Sequence, residues 1–290
     1  QTTPQQTQIS HSAENLMDSR ITEQPSHYDH LESMPVGEII ADINHESSQV
    51  AGVIQHALPQ IETLITTIER KLRSGGRLFY CGCGTGGRLC VLDTIEVQNT
   101  YTSPPDMIQA IFPGGISDIT NTIESKEDNT EDGWRQLMDK QVSKKDIVVG
   151  FSASGTTPFV LSTLQHCQRQ GITTASVVNN PNAPISRASD IPVVLITGPE
   201  FVTGSTRMKG GTSQKMVLDM ISTTVMIRLG RVSGNRMVNA KIINHKLLER
   251  AIRTFMERHP DFHDDDKVKA LITQYGSVAN TERALGLSVE

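Results

Sequence analysis

The sequence predicts an α/β fold in three layers: a five-stranded parallel sheet covered by helices on both faces, with further helices before and after it. Two observations predict this. Short unbroken apolar runs alternate with helical stretches long enough to serve as crossovers, and strands buried on both faces read as unbroken apolar runs. Two of those runs end in turns of Gly, Ser and Thr that lead straight into a helical pattern, which is how open parallel sheets present ligand sites beyond the carboxyl ends of their strands.

Taken in order, residues 1–35 are polar and interrupted by Pro, and read as an arm. Residues 36–73 carry a helical period through Val36, Ile39, Ile40 and Ile43, then Val50, Val53, Ile54, Leu58, Ile61, Leu64, Ile65, Ile68 and Leu72. Two helices are expected, separated near Pro59 or before it. After Gly75-Gly76 the strands begin: Leu78–Gly82, Met107–Phe112, Ile147–Phe151, Thr174–Val178 and Ile191–Ile196. Residues 210–232 form a long helix rich in Met, Leu, Ile and Val, suited to a core or a subunit interface. The chain therefore divides into an arm (1–35), a sheet domain with its leading helices (36–250) and a C-terminal helical tail (251–290).

Composition narrows the function. Among 290 residues the formal charge is −5, so nothing draws the chain as a whole to nucleic acid or an anionic membrane, and neither is expected as a partner. A bound phosphate would need a local site. No apolar run approaches the roughly 20 residues that span a bilayer, and residues 1–20 lack the apolar stretch of a signal peptide. The four cysteines are Cys81, Cys83, Cys90 and Cys167. Cys81 and Cys83 would point the same way on a strand, as metal ligands can, but no Cys/His pair stands at zinc spacing. They read as buried thiols in a reducing compartment, the cytoplasm, with no metal.

Three segments carry chemistry. Gly82-Cys83-Gly84-Thr85-Gly86-Gly87-Arg88 and Ser152-Ala153-Ser154-Gly155-Thr156-Thr157-Pro158 each follow a strand and open a helix. Such turns offer free N–H groups and hydroxyls to an anion. The first is neither the dinucleotide-binding G-x-G-x-x-G nor a P-loop, since no Gly-Lys-Ser/Thr follows. The second places three hydroxyls around a glycine, more than a helix cap uses. The third, residues 198–212, follows the last strand and offers Glu200, Ser205, Thr206, Arg207 and Lys209.

Together these segments resemble the sugar-isomerase (SIS) domain and, within it, the N-acetylmuramic acid 6-phosphate etherase family, from Ile21-Thr-Glu-Gln to about Arg250. The resemblance rests on Gly84-Thr-Gly-Gly-Arg-Leu, Val91-Leu-Asp, Pro113-Gly-Gly, Ala153-Ser-Gly, Gln214-Lys-Met-Val-Leu and above all Gly204-Ser-Thr-Arg-Met-Lys. It implies an SIS fold and a lyase that cleaves the D-lactyl ether of N-acetylmuramate 6-phosphate. The products would be N-acetylglucosamine 6-phosphate and D-lactate, with no cofactor. In the open-chain sugar the C1 aldehyde acidifies the C2 proton. A base removes it, lactate leaves C3 once its ether oxygen is protonated, and water adds back at C3. Carboxyls can carry both proton transfers when their surroundings tune them. The family's catalytic glutamates map onto Glu96 and Glu127, and the resemblance does not divide the two roles between them. Thr85, Gly86, Ser152, Ser154, Thr156, Thr157, Glu200 and Ser205 are the candidate ligands of the phosphorylated amino sugar.

The chain departs from the family's usual pattern at Gly86 (usually Ser), at Thr156 (usually Arg), and beside Glu96, where Ile95, Val97 and Gln98-Asn99 replace Ser, Cys and a Pro pair. The glucokinase regulatory protein, a non-catalytic binder of sugar phosphates, is similar to the same family and gives the alternative function. An aldose–ketose isomerase would use the same pocket with one base.

Helix geometry bears on assembly. If a helix starts near Gly86, Glu96 stands about ten residues on, roughly 15 Å along the axis. A sugar's C3 is only about 5–6 Å from its phosphate by bond lengths. Either the helix breaks early, as in a monomer with a kinked helix, or Glu96 serves the pocket of a second subunit; a homodimer with a shared site is the expectation, and SIS pockets usually lie at dimer interfaces.

Overall fold

The computed structural model describes residues 20–121 and 124–287, with the side chain of Glu124 outside the description. Helix α1 (Val36–Ser48) leads into α2 (Val50–Arg73). The sheet domain then runs β1 (Leu78–Gly82), α3 (Gly84–Tyr101), β2 (Ile108–Ile111), α4 (Glu124–Glu127), α5 (Asp132–Asp139), β3 (Ile147–Ser152), α6 (Pro158–Arg169), β4 (Thr173–Val178), α7 (Pro184–Arg187), β5 (Ile191–Val194) and α8 (Lys209–Arg228). A two-stranded hairpin, β6 (Val232–Ser233) and β7 (Arg236–Met237), precedes α9 (His245–Arg258), α10 (Asp265–Tyr275) and α11 (Val278–Ala284). The five expected strands form within a residue or two of their expected ends.

The sheet is wholly parallel in the order β2-β1-β3-β4-β5. Successive side chains alternate between its faces. Leu78 and Tyr80 of β1 join the core under α2, α3 and α8, with Ile61, Leu64, Cys90, Val217 and Ile221. Phe79 and Cys81 face the core under α5, α6 and α7, with Leu137, Phe159, Leu164 and Ile185. This is the three-layer arrangement expected.

The leading helices separate at Gln49, before Pro59, which lies inside α2. A proline within a helix costs about 3 kcal/mol. That cost is outweighed because Val50, Ile54, Ala57, Ile61, Leu64, Ile65, Ile68 and Leu72 are all buried on one face. The long helix α8 packs between α2 and α3, in the core rather than at the surface. Its first residue, Lys209, makes a buried ion pair with Glu46 of α1, and the Tyr28 hydroxyl donates to the same carboxylate at 3.1 Å. Burial alone would raise Glu46, but the Lys209 ammonium and the Tyr28 hydroxyl outweigh it and hold the carboxyl below its ordinary range.

Residues 238–287 have a third core around Val238, Phe255, Val268, Ile272 and Val278. The boundary expected at residue 250 therefore falls inside α9. Residues 20–35 do not hang free as an arm. Thr22 is fully buried, and Ser26 donates through its hydroxyl to the Phe201 carbonyl at 2.7 Å. Residues 1–19 of the expected arm lie outside the described residues. Among the described residues, no helix is long and apolar enough to cross a membrane.

Candidate active site

The chain leaves β1 towards one edge of the sheet and returns to build β3, β4 and β5 on the other side. The turns after β1 and β3 thus flank the crevice where the direction reverses, the usual ligand position in open α/β sheets. A strand-to-helix turn this tight needs glycine. A Cβ on Gly87 would lie 2.4 Å from the Gly82 carbonyl oxygen and 2.8 Å from the Phe112 ring. The start of α3 can therefore close directly onto the end of β1. Neither α3 nor α6 has a side-chain hydrogen bond at its N-cap, Cys83 and Thr157 respectively, so both present N–H groups and a positive dipole end.

A cavity of about 170 Å³ opens between these turns. Cys83, Gly84, Thr85 and Gly86 line it from the first turn, and Ser152, Ala153, Ser154 and Thr157 from the second. Glu127, Thr206, Gln214 and Glu23 complete the wall. Larger grooves of about 800 Å³ and 650 Å³ flank α2, against β5 and against α8. They lack this convergence of hydroxyls, so the smaller cavity is the candidate site.

The second turn is wired to donate. The Gly155 N–H donates to the Ser152 hydroxyl at 3.0 Å, and Ser152 lies 2.9 Å from the Thr157 hydroxyl. The Thr156 N–H and hydroxyl both donate to the Ser154 oxygen, at 3.2 and 3.0 Å. With its oxygen occupied as acceptor, Ser154 is left to donate, to Ser152 or to an anion in the cavity. Gly155 adopts φ +73°, a conformation glycine takes without strain.

Of the residues expected from sequence, Thr85, Gly86, Ser152, Ser154, Thr157 and Glu127 come together. Four do not. The Thr156 hydroxyl is turned back onto Ser154 and does not line the cavity. Glu200 is 1% exposed, and its two oxygens accept from the N–H groups of Lys209 and Gly210, each at 2.9 Å. It caps α8 instead of facing a ligand, as a carboxylate at a helix N-terminus does. Ser205 is off the wall, where its neighbour Thr206 stands. Glu96 is exposed on the fourth turn of α3, away from the cavity, beside Leu92 and Ile95, which are 40% and 52% exposed.

Sequence reasoning noted Thr206 in the third segment without choosing it as a ligand, and missed Glu23 and Gln214. Gln214 is 1% exposed, and its Nε2 donates to Asn179 Oδ1 at 3.2 Å. Asn179 is fixed in turn by the Leu195 carbonyl and the hydroxyls of Thr197 and Ser213. A Cβ on Gly86 would lie 2.4 Å from Gln214 Oε1, so the glutamine amide occupies the space that a side chain at position 86 would need. A lone Gln on the apolar face of α8 was the available signal. Burial, the largest cause, together with nearby Cys81 and Glu127, pushes the Cys83 thiol well up, so it stays neutral beside the cavity. Among the described residues, no three His, Cys, Asp or Glu side chains converge as a metal site would require.

Comparison with known proteins agrees with this architecture. Residues 60–168 match the glucokinase regulatory protein N-terminal SIS domain, and residues 119–223 match the SIS domain. A phosphoheptose isomerase structure from Francisella tularensis superposes with a TM-score of 0.54 at 15% identity, covering 67% of this chain and all of that one, a likeness of fold. The N-acetylmuramic acid 6-phosphate etherase of Bacteroides fragilis is 48% identical over 259 residues, 89% of this chain and 92% of its own length. Those of Bacteroides thetaiotaomicron and Symbiobacterium thermophilum are 46% and 42% identical, covering 91% and 86% of this chain and 95% and 82% of their own. Identity at this level over nearly the whole chain, on the fold and the hydroxyl-lined crevice just described, makes the chain a member of the N-acetylmuramic acid 6-phosphate etherase family.

Proposed function

We propose that this chain cleaves the D-lactyl ether of N-acetylmuramate 6-phosphate, giving N-acetylglucosamine 6-phosphate and D-lactate by elimination and hydration. One observation carries the reading: the Glu127 carboxylate lines the same cavity as the hydroxyls of Thr85, Ser152, Ser154 and Thr157. A proton-transfer group thus stands beside an anion cradle. The hydroxyls and the N-termini of α3 and α6 hold the 6-phosphate. Glu127 takes the C2 proton of the open-chain sugar. The C3–O bond then breaks as the ether oxygen receives a proton, lactate departs, and water adds to C3 as a proton returns to C2. The test is incubation with N-acetylmuramate 6-phosphate and an enzymatic assay for D-lactate. Absence of lactate from folded protein overturns the reading.

The second proton-transfer group, Glu96, comes from a second copy of the chain, and the active unit is a homodimer. Three observations support this. Glu96 is 12 residues beyond Gly84 in one continuous helix, about 18 Å along its axis, too far for a sugar held at that helix's own start. The cavity of about 170 Å³ is smaller than the roughly 300–1,000 Å³ usual for small-molecule sites. Exposed Leu92 and Ile95 flank Glu96 with apolar surface suited to a two-fold contact. Mixing Glu96→Gln and Ser154→Ala proteins under conditions of subunit exchange restores activity if sites are shared, and no recovery assigns the site to one chain. We assign the reaction to the cytoplasm, since all four cysteines stay as thiols and the substrate is a sugar phosphate.

A further inference from the structure

Glu23 belongs to a segment with no helical or strand period, yet its side chain lines the hydroxyl-bearing cavity. What holds it there is specific. The buried Thr22 N–H donates to Asn180 Oδ1 at 3.2 Å, and Asn180 Nδ2 donates to the Thr22 hydroxyl at 2.8 Å. The same Nδ2 also donates to the carbonyls of Ala153 and Ser154, each at 3.1 Å. Asn180 therefore joins the residue before Glu23 to the backbone of the turn that supplies Ser152, Ser154 and Thr157. Two further hydrogen bonds fix the other side: the Ser26 hydroxyl to the Phe201 carbonyl at 2.7 Å, and the Ser26 N–H to the Thr203 hydroxyl at 2.9 Å. Gly204 stands beside the carboxylate: a Cβ there would lie 3.4 Å from Glu23 Oε2. Glu23 is thus registered against the phosphate-binding turn through bonds that do not involve its own side chain.

The charge at this position limits what it can bind. The cavity's donors, the hydroxyls of both turns and the N-termini of α3 and α6, suit a phosphate. A carboxylate repels a phosphate and can only accept hydrogen bonds from uncharged or positive donors. On the wall of a site for a phosphorylated amino sugar, the donors left for it are the sugar's hydroxyls and acetamido N–H. We infer that Glu23 is a substrate-binding residue that accepts a hydrogen bond from the sugar itself and makes the site select a sugar phosphate over phosphate alone. The inference rests on the reading of this cavity as a sugar-phosphate site.

The test compares two ligands on three proteins. Titration calorimetry with N-acetylglucosamine 6-phosphate and with inorganic phosphate is run on the parent chain, Glu23→Gln and Glu23→Ala. The quantity read is the ratio of the two affinities. In Glu23→Ala that ratio falls about tenfold or more, because the sugar loses a charged acceptor while phosphate binds as well as before or better. Glu23→Gln keeps an acceptor of the same shape without the charge, and its ratio falls less. A ratio unchanged in both variants, including a parallel loss of both ligands, overturns the inference and leaves the segment a structural support. Lactate release by the parent chain separates the two readings. If the parent binds neither ligand, the sugar-phosphate reading falls and Glu23's role with it. If the parent is active and only the ratio stays flat, Glu23 alone is wrongly assigned.

Discussion

Replacing Gly155 by Ala tests how far the second turn is fixed by packing rather than by its hydroxyls. Two terms add. Gly155 has φ +73°, and an L-residue in that left-handed region costs about 1–2 kcal/mol. The new Cβ would also lie 2.3 Å from the Ala183 Cβ. Ala183 cannot step aside: it is 4% exposed and is the N-cap residue of α7, and the Ile185 N–H donates to the Gly155 carbonyl at 3.1 Å. Forced overlap in a packed interior costs about 1–3 kcal/mol, giving a total loss of about 2–5 kcal/mol. Gly75→Ala isolates the first term, because Gly75 has φ +79° and no neighbouring atom within 4 Å of an added Cβ. Its expected loss is about 1–2 kcal/mol. Urea unfolding of both variants, with midpoint and slope measured separately, should find Gly155→Ala at least about 1 kcal/mol the less stable. Equal losses would refute the packing argument and leave only backbone strain.

Ser154→Ala should weaken binding of N-acetylglucosamine 6-phosphate by about tenfold or more, since a hydrogen bond to a charged group contributes roughly 1.5–3 kcal/mol; calorimetry showing parent affinity removes Ser154 from the site. Glu127→Gln and Glu96→Gln should each lower turnover at least about a hundredfold while sparing ground-state binding, measured by lactate release, and turnover at the parent rate in both would exclude the proposed mechanism. Burial pushes the Asp93 carboxyl up to about 6, against the opposing hydrogen bonds from Ser222 and Tyr80. The folded state thus holds this proton more tightly than the unfolded chain, so the group's contribution is favourable at low pH and is lost as pH rises from about 4 to 6. Denaturation midpoints of Asp93→Asn across that window should fall less steeply than the parent's, and parallel curves would show that Asp93 does not titrate there.

The strands were legible because each is a short apolar run, and two of them, Leu78–Gly82 and Ile147–Ser152, end at Gly or Ser. The two turns were legible for the same reason: their chemistry is contiguous in sequence. What escaped was non-local. Thr22 and Asn180 are 158 residues apart, and no periodicity in a polar segment announces that partnership. Glu200 stands in a segment full of plausible ligands, yet its oxygens go to N–H groups nine and ten residues later. Only the path of the intervening loop turns that acid from a ligand into a cap. Thr156 was misread because a hydroxyl that aims another hydroxyl has the same sequence signature as one that touches a ligand.

The joint at Asn180 also imposes an order of assembly. Closing a loop of 158 residues costs about 4–5 kcal/mol in chain entropy, so Thr22 cannot seek Asn180 until the sheet has brought the ends near. On the ribosome, residues 20–26 emerge long before residues 180, 201 and 203, to which they bind. A nascent chain carrying β1 through α6 already owns both hydroxyl-bearing turns, but its cavity still lacks the sides formed by Glu23, Thr206 and Gln214. The Glu23 side of that cavity is made of residues synthesised nearly first, yet it closes only after residues 180–203 have emerged to anchor it.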